Sequence, residues 1–99
     1  MARPVKLSSE DVSARIASLP DWKLASDKLH REYKFADFTH AFAFMAAVAT
    51  VAEKMDHHPD WQNVYNRVTV DLSTHDAGGI TVLDFELATA MENMASKLR

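Results

Sequence analysis

Ninety-nine residues are enough for one hydrophobic core and too few for two, so residues 1–99 are read as a single domain. A formal charge of −3 without any block of Lys or Arg argues against direct nucleic-acid binding. The absence of cysteine removes disulfides, thiolate nucleophiles and thiolate metal ligands. The first residues lack the apolar core of a signal peptide. The most apolar run, Ala41 to Ala52, is too short and too rich in alanine to span a bilayer. A cytoplasmic protein without membrane contact is expected.

Ser8-Ser9-Glu10-Asp11 predicts a helix start, with a serine hydroxyl to cap free N–H groups and acidic residues at the positive helix end. Val12, Ile16 and Leu19 recur at helical spacing, and Pro20 closes the segment. Trp22 and Leu24 suggest a short strand, and Ala25 to Lys28 a turn. Leu29, Tyr33 and Phe35 then alternate with polar residues as in a half-buried strand, a pattern broken only by Arg31.

Asp37 is the predicted N-cap of the longest helix, about 19 residues and ~28 Å. Phe38, Phe42, Met45, Ala49 and Ala52 form one apolar stripe, and Phe44, Ala47, Val48 and Val51 form another. Apolar surface on two faces needs more than one sheet to cover it, so the second stripe is expected at a subunit contact. Alanine richness alone is the competing account. Pro59 ends this helix, placing His57 and His58 in its last turn or just beyond. From Trp61 to Thr74, Val64, Val68, Val70 and Leu72 fit either one strand or a hairpin turning at Tyr65-Asn66, where Asn tolerates positive φ. Gly78-Gly79 marks a turn. Thr81-x-x-Asp84 resembles a capping box, followed by Leu83, Leu87, Met91, Met94 and Leu98 on one helical face. The order α-β-β-α-β-β-α predicts an α+β domain, a four-stranded antiparallel sheet with helices packed on one face.

Chemistry concentrates between Glu53 and Asp84, where three of the five histidines and both glycines lie. Histidine titrates near neutrality, so clustered imidazoles can divide acid and base work. A His-His pair beside a proline can also simply cap a helix end. That account does not extend to His75, which follows a strand and precedes Asp76 and the glycines.

The pattern Glu53…His57-His58-Pro59…Trp61…Asn63-Val64-Tyr65-Asn66…Thr74-His75-Asp76…Gly79…Asp84 resembles the signature of the pterin-4a-carbinolamine dehydratases. Trp22, Phe35, Phe38 and Leu87-Ala88 extend the likeness over nearly the whole chain. The resemblance favours the hairpin at Tyr65-Asn66 and implies a homo-oligomer, a tetramer built from paired dimers. It implies loss of water from a 4a-hydroxytetrahydropterin to give the quinonoid dihydropterin, in tetrahydrobiopterin recycling, with no metal or other cofactor. His57 and His75 are then the candidate acid and base, with His58 positioning the pterin. Glu53 is assigned to holding an imidazole, and as a plain helix residue it would pair with Lys54 or His57. Trp61 either lies against the pterin or supplies core surface. Asp56, Ser73, Thr74 and Asp76 are expected to contact substrate. Asp84 matches a motif position, although its place favours a helix-start role.

Two other classes compete. Glu53, His57 and His75 could form a three-ligand zinc site of a hydrolase, but no HExxH spacing is present. Some animal members of the family also stabilise dimers of a homeodomain transcription factor, and the doubly apolar helix would suit such an interaction.

Overall fold

The computed structural model describes residues 4–98. Ser8 caps α1 (Ser9–Ile16), its hydroxyl accepting from the Asp11 N–H at 3.1 Å. Strands β1 (Lys23–Ala25) and β2 (Lys28–Lys34) are joined by Ser26 and Asp27, at φ of 52° and 59°. Two successive left-handed residues match the twist of the flanking strands, which is why so short a turn closes the hairpin. Asp37 caps α2 (Phe38–Met55), accepting from the His40 N–H at 2.8 Å. A second hairpin, β3 (Asp60–Val64) and β4 (Arg67–Leu72), leads through one 3-10 turn (His75–Ala77) into α3 (Val82–Leu98).

The sheet runs β1-β2-β4-β3, antiparallel throughout. Leu29 and Tyr33 of β2 and Val68, Val70 and Leu72 of β4 are buried beneath the helices. Cross-strand pairing puts His30 against Asp71, Glu32 against Thr69 and Lys34 against Arg67 on the opposite, polar face. One buried and one solvated face is the expected arrangement for an antiparallel sheet. The predicted α+β architecture, with helices on a single face, is the architecture observed. Arg31, the break in the alternation, lies 4.1 Å over the Tyr33 ring. Its guanidinium reaches Asp21 at 3.7 Å and Glu92 at 3.6 Å, so the apolar stem covers core while the charge stays paired. The Tyr33 hydroxyl donates to Glu92, and burial first, then that carboxylate, push its pKa well up.

Two expectations are corrected. The stripe assigned to a subunit contact belongs to the chain's own core. Phe44 and Val48 are buried, and the Phe44 ring sits 4.8 Å from Tyr33 and 5.0 Å from Phe35. The exposed apolar surface of α2 is instead Phe38 (49%) and Phe42 (55%), whose rings touch at 5.8 Å. In the second hairpin the left-handed residue is Tyr65 (φ 52°), not Asn66. The Asn63 side-chain amide spans the turn, donating to the carbonyls of Tyr65 at 3.0 Å and Arg67 at 2.8 Å. Asn66 is used elsewhere: its side-chain amide donates to the Phe35 carbonyl at 3.0 Å, and its own carbonyl accepts from the Phe35 N–H at 2.8 Å.

On the polar face His30 lies between two carboxylates, Nδ1 at 2.8 Å from Asp71 and Nε2 at 3.2 Å from Glu32. Their hydrogen bonds, Asp71 foremost, raise its pKa above the ordinary 6.5. A raised folded pKa contributes stability that is fully present below the unfolded value and lost as pH rises through the folded one. Urea midpoints should therefore fall more for the wild type than for Asp71→Asn as pH rises above the ordinary histidine value of 6.5. Parallel curves for the two proteins would remove His30 from the balance.

Candidate active site

The site starts where α2 stops. Asp56 adopts a left-handed conformation (φ 51°, ψ 42°), and its N–H returns to the carbonyls of Ala52 and Glu53. The His57 N–H also bonds the Ala52 carbonyl, at 3.0 Å. This is a C-terminal cap of the left-handed kind, which satisfies carbonyls that the helix leaves open. It also sends the neighbouring histidines different ways. His57 turns inward, 7% exposed, with Nε2 at 2.5 Å from Asp84 Oδ1. His58 stays exposed, with Nε2 at 2.7 Å from Glu53 Oε1.

The second wall is the segment after β4. Ser73 and Thr74 lead into the 3-10 turn that carries His75 and Asp76, and Gly78 closes it at φ 74°. The Thr74 N–H bonds the Gly79 carbonyl at 2.8 Å, pinning the base of this loop. The third element is the start of α3, where the predicted capping box is present. The Leu83 N–H donates to Thr81 Oγ1 at 3.2 Å, and the Thr81 N–H to Asp84 Oδ2 at 2.9 Å. Thr74 Oγ1 donates to the same Asp84 oxygen at 2.9 Å and lies 2.7 Å from Thr81 Oγ1.

Between these elements opens a cleft of about 580 Å³, lined by Pro4, Met55, Asp56, His57, His58, Ser73, Thr74, His75, Asp76 and Leu83. Its size is that of a small-molecule site. Its lining combines three imidazoles and two carboxylates with apolar Met55 and Leu83.

The sequence profile of the pterin 4 alpha carbinolamine dehydratase family matches residues 5–94. The chain belongs to this family. A relative from Solibacter usitatus, provisionally named a pterin-4-alpha-carbinolamine dehydratase, is 54% identical over 91 residues, 92% of this chain and 96% of its own. A Mesorhizobium japonicum relative of the same provisional name is 54% identical, with 89% and 92% covered. A crystal structure from Brucella melitensis, described as a transcriptional coactivator/pterin dehydratase, is 41% identical. It superposes at a TM-score of 0.89 over 91% of this chain and 98% of that one.

Within this dehydratase-family chain the cleft gathers seven of the ten residues singled out from sequence: Asp56, His57, His58, Ser73, Thr74, His75 and Asp76. Three do not line it. Glu53 sits beside the cleft and holds His58, not His57, because the left-handed Asp56 breaks the helical path that would have put Glu53 and His57 on one face. Trp61 pairs with Val70 in the sheet and packs, half-buried, against the core. Asp84, placed among the substrate-binding candidates through its motif position, is fully buried behind His57 and meets that imidazole instead of the cleft. Glu53, His57 and His75 do not converge as a zinc triad. Among the described residues no group of three or more His, Cys, Asp or Glu is placed to hold a metal. Nor is any described helix long and apolar enough to cross a membrane. Met55, Leu83 and Thr81 were not anticipated as part of the site. The capping-box spacing was the available signal for Thr81, whereas Met55 and Leu83 carry none beyond their neighbours.

Proposed function

We propose that the chain dehydrates a 4a-hydroxytetrahydropterin, the product left when a pterin-dependent aromatic hydroxylase has used oxygen, and so serves tetrahydropterin recycling. The observation that supports this most directly is the convergence of His57, His58 and His75 on one cleft in a member of this family. In the reaction the C4a–O bond breaks and the protonated hydroxyl leaves as water. N5 gives up its proton and the C4a=N5 double bond forms. One group donates a proton and another accepts one, so the balance closes without an oxidant or reductant. Each positioned acid or base is worth roughly 10²–10⁴ in rate.

The geometry suits a division of labour. His57 enters from the end of α2 with its far nitrogen on a buried carboxylate, and His75 comes from the loop after β4. His58 lies more exposed and is assigned to positioning the pterin. Met55 and Leu83 offer apolar contact to the flat ring system and Ser73 polar contact to its edge, while the Thr74 hydroxyl is turned to Asp84. We also propose that copies of the chain associate through the Phe38–Phe42 face of α2, because two touching, half-exposed aromatic rings are better covered than solvated.

Purified protein should accelerate dehydration of 4a-hydroxytetrahydropterin in a stopped-flow assay and keep that activity in EDTA. Complete loss that zinc restores would overturn the metal-free reading. His57→Ala and His75→Ala should each leave residual turnover, with unequal losses on the two C4a stereoisomers. The double variant should lose far more than either, and His58→Ala should mainly weaken binding of a stable dihydropterin analogue. Near wild-type turnover in the double variant would remove both residues from the mechanism, and equal losses on both isomers would discard the idea that His57 and His75 serve opposite faces of the pterin. Light scattering should show an oligomer that Phe42→Glu splits while the fold persists. A monomer alone at micromolar concentration would refute association.

A further inference from the structure

The hydroxyls behind His57 form a chain whose hydrogens can be assigned one by one. Thr81 Oγ1 accepts from the Leu83 N–H, and Thr74 Oγ1 lies against both Thr81 Oγ1 and Asp84 Oδ2. Each threonine has one hydroxyl hydrogen. If Thr74 gave its hydrogen to Thr81, Asp84 would have to be protonated to supply Thr74, and the Thr81 hydrogen would be left without an acceptor in a residue that is 0% exposed. The opposite direction satisfies every group: Leu83 N–H to Thr81, Thr81 O–H to Thr74, and Thr74 O–H to Asp84. Asp84 Oδ2 then accepts two donors, the Thr74 hydroxyl and the Thr81 N–H, which leaves Oδ1 to share one hydrogen with His57. An imidazole is a stronger base than a carboxylate, so the hydrogen between Oδ1 and His57 Nε2, 2.5 Å apart, is assigned to the nitrogen.

We propose that Thr74 and Thr81 are positioning residues that act through Asp84 to hold His57 as the Nε2–H tautomer, so that Nδ1 is the nitrogen that exchanges a proton with substrate. The logic is that of the buried Asp of serine-protease triads, which orients an imidazole and fixes its tautomer without itself taking up the proton. Here the Asp is in turn oriented by the opening turn of α3. The inference rests on the dehydratase reading only for the identity of the substrate. The tautomer can be read without any pterin.

Long-range ¹H–¹⁵N correlation of the imidazoles in the ligand-free protein should show His57 in the Nε2–H form. In Asp84→Asn the backbone N–H of Thr81 and the Thr74 hydroxyl require the amide oxygen at the Oδ2 position, which places the NH₂ against Nε2. His57 should then switch to the Nδ1–H tautomer. Thr74→Val removes one donor from the carboxylate and should give mixed tautomers, with kcat down about tenfold and KM within about twofold. Thr74→Ser, which keeps the hydroxyl, should restore both. Retention of the Nε2–H form in Asp84→Asn, or Thr74→Val matching Thr74→Ser in tautomer and kcat, would overturn the proposal. Should Asp84→Asn fail to fold, the Thr74 pair decides alone. Tautomers behaving as stated in a wild type that does not turn over pterin would uphold the positioning network and reject the dehydratase reading.

Discussion

A single buried carboxylate ties the site together. Asp84 has no exposed surface, and an ion so placed is costly unless it is paired and hydrogen-bonded. Its three partners come from three parts of the chain. Thr81 belongs to the start of α3, Thr74 to the loop after β4, and His57 to the segment after α2. Removing any one leaves a charged oxygen short of a donor, so the three segments are held to one another by the need to satisfy it. The cleft is the space those same segments enclose. The stabilisation of the carboxylate and the placing of the imidazole are therefore one set of bonds.

The left-handed Asp56 is the second constraint. A helix continuing through His57 would have stacked that side chain one turn above Glu53, both facing solvent. Ending the helix one residue earlier instead gives one histidine to the interior and the other to the rim. Glu53 is left with the outer one. Two adjacent identical side chains thereby acquire different surroundings, a buried carboxylate for one and a solvated carboxylate for the other, which is how a pair of like groups can be given unlike tasks.

Much of this was legible from sequence because it is local. The caps at Ser8 and Asp37 and the capping box at Thr81 and Asp84 involve side chains bonding backbone within three residues. Strand alternation around Leu29 and Val70 reports a sheet with one wet face. What was misread depends on contacts distant in sequence. Nothing in α2 alone says which of its two apolar stripes faces the sheet. The rings of Tyr33 and Phe35 settle it by receiving Phe44. Asn66 was the better residue for a left-handed turn, yet its amide is used on Phe35 and the strain falls on Tyr65. Asp84 reads as a helix-start residue, which it is. That the same carboxylate also binds an imidazole 27 positions earlier has no signature in spacing. The likeness to the dehydratase family marked Asp84 as relevant without saying how.

α2 and α3 pack on each other, and both carry fully buried alanines, Ala41 and Ala52 in one and Ala88 and Ala95 in the other. Side chains this small let two helix axes approach closely and leave no slack between them. Ala52 lies one turn before Asp56, and Ala88 one turn after Asp84. Both elements that carry the His57–Asp84 pair therefore have a fully buried alanine in the turn next to it. One extra methyl group at Ala52 or Ala88 would meet close-packed neighbours and force them to shift. Proton transfer tolerates little misplacement of donor and acceptor. The placing of the His57–Asp84 pair thus depends also on buried residues with no chemistry of their own.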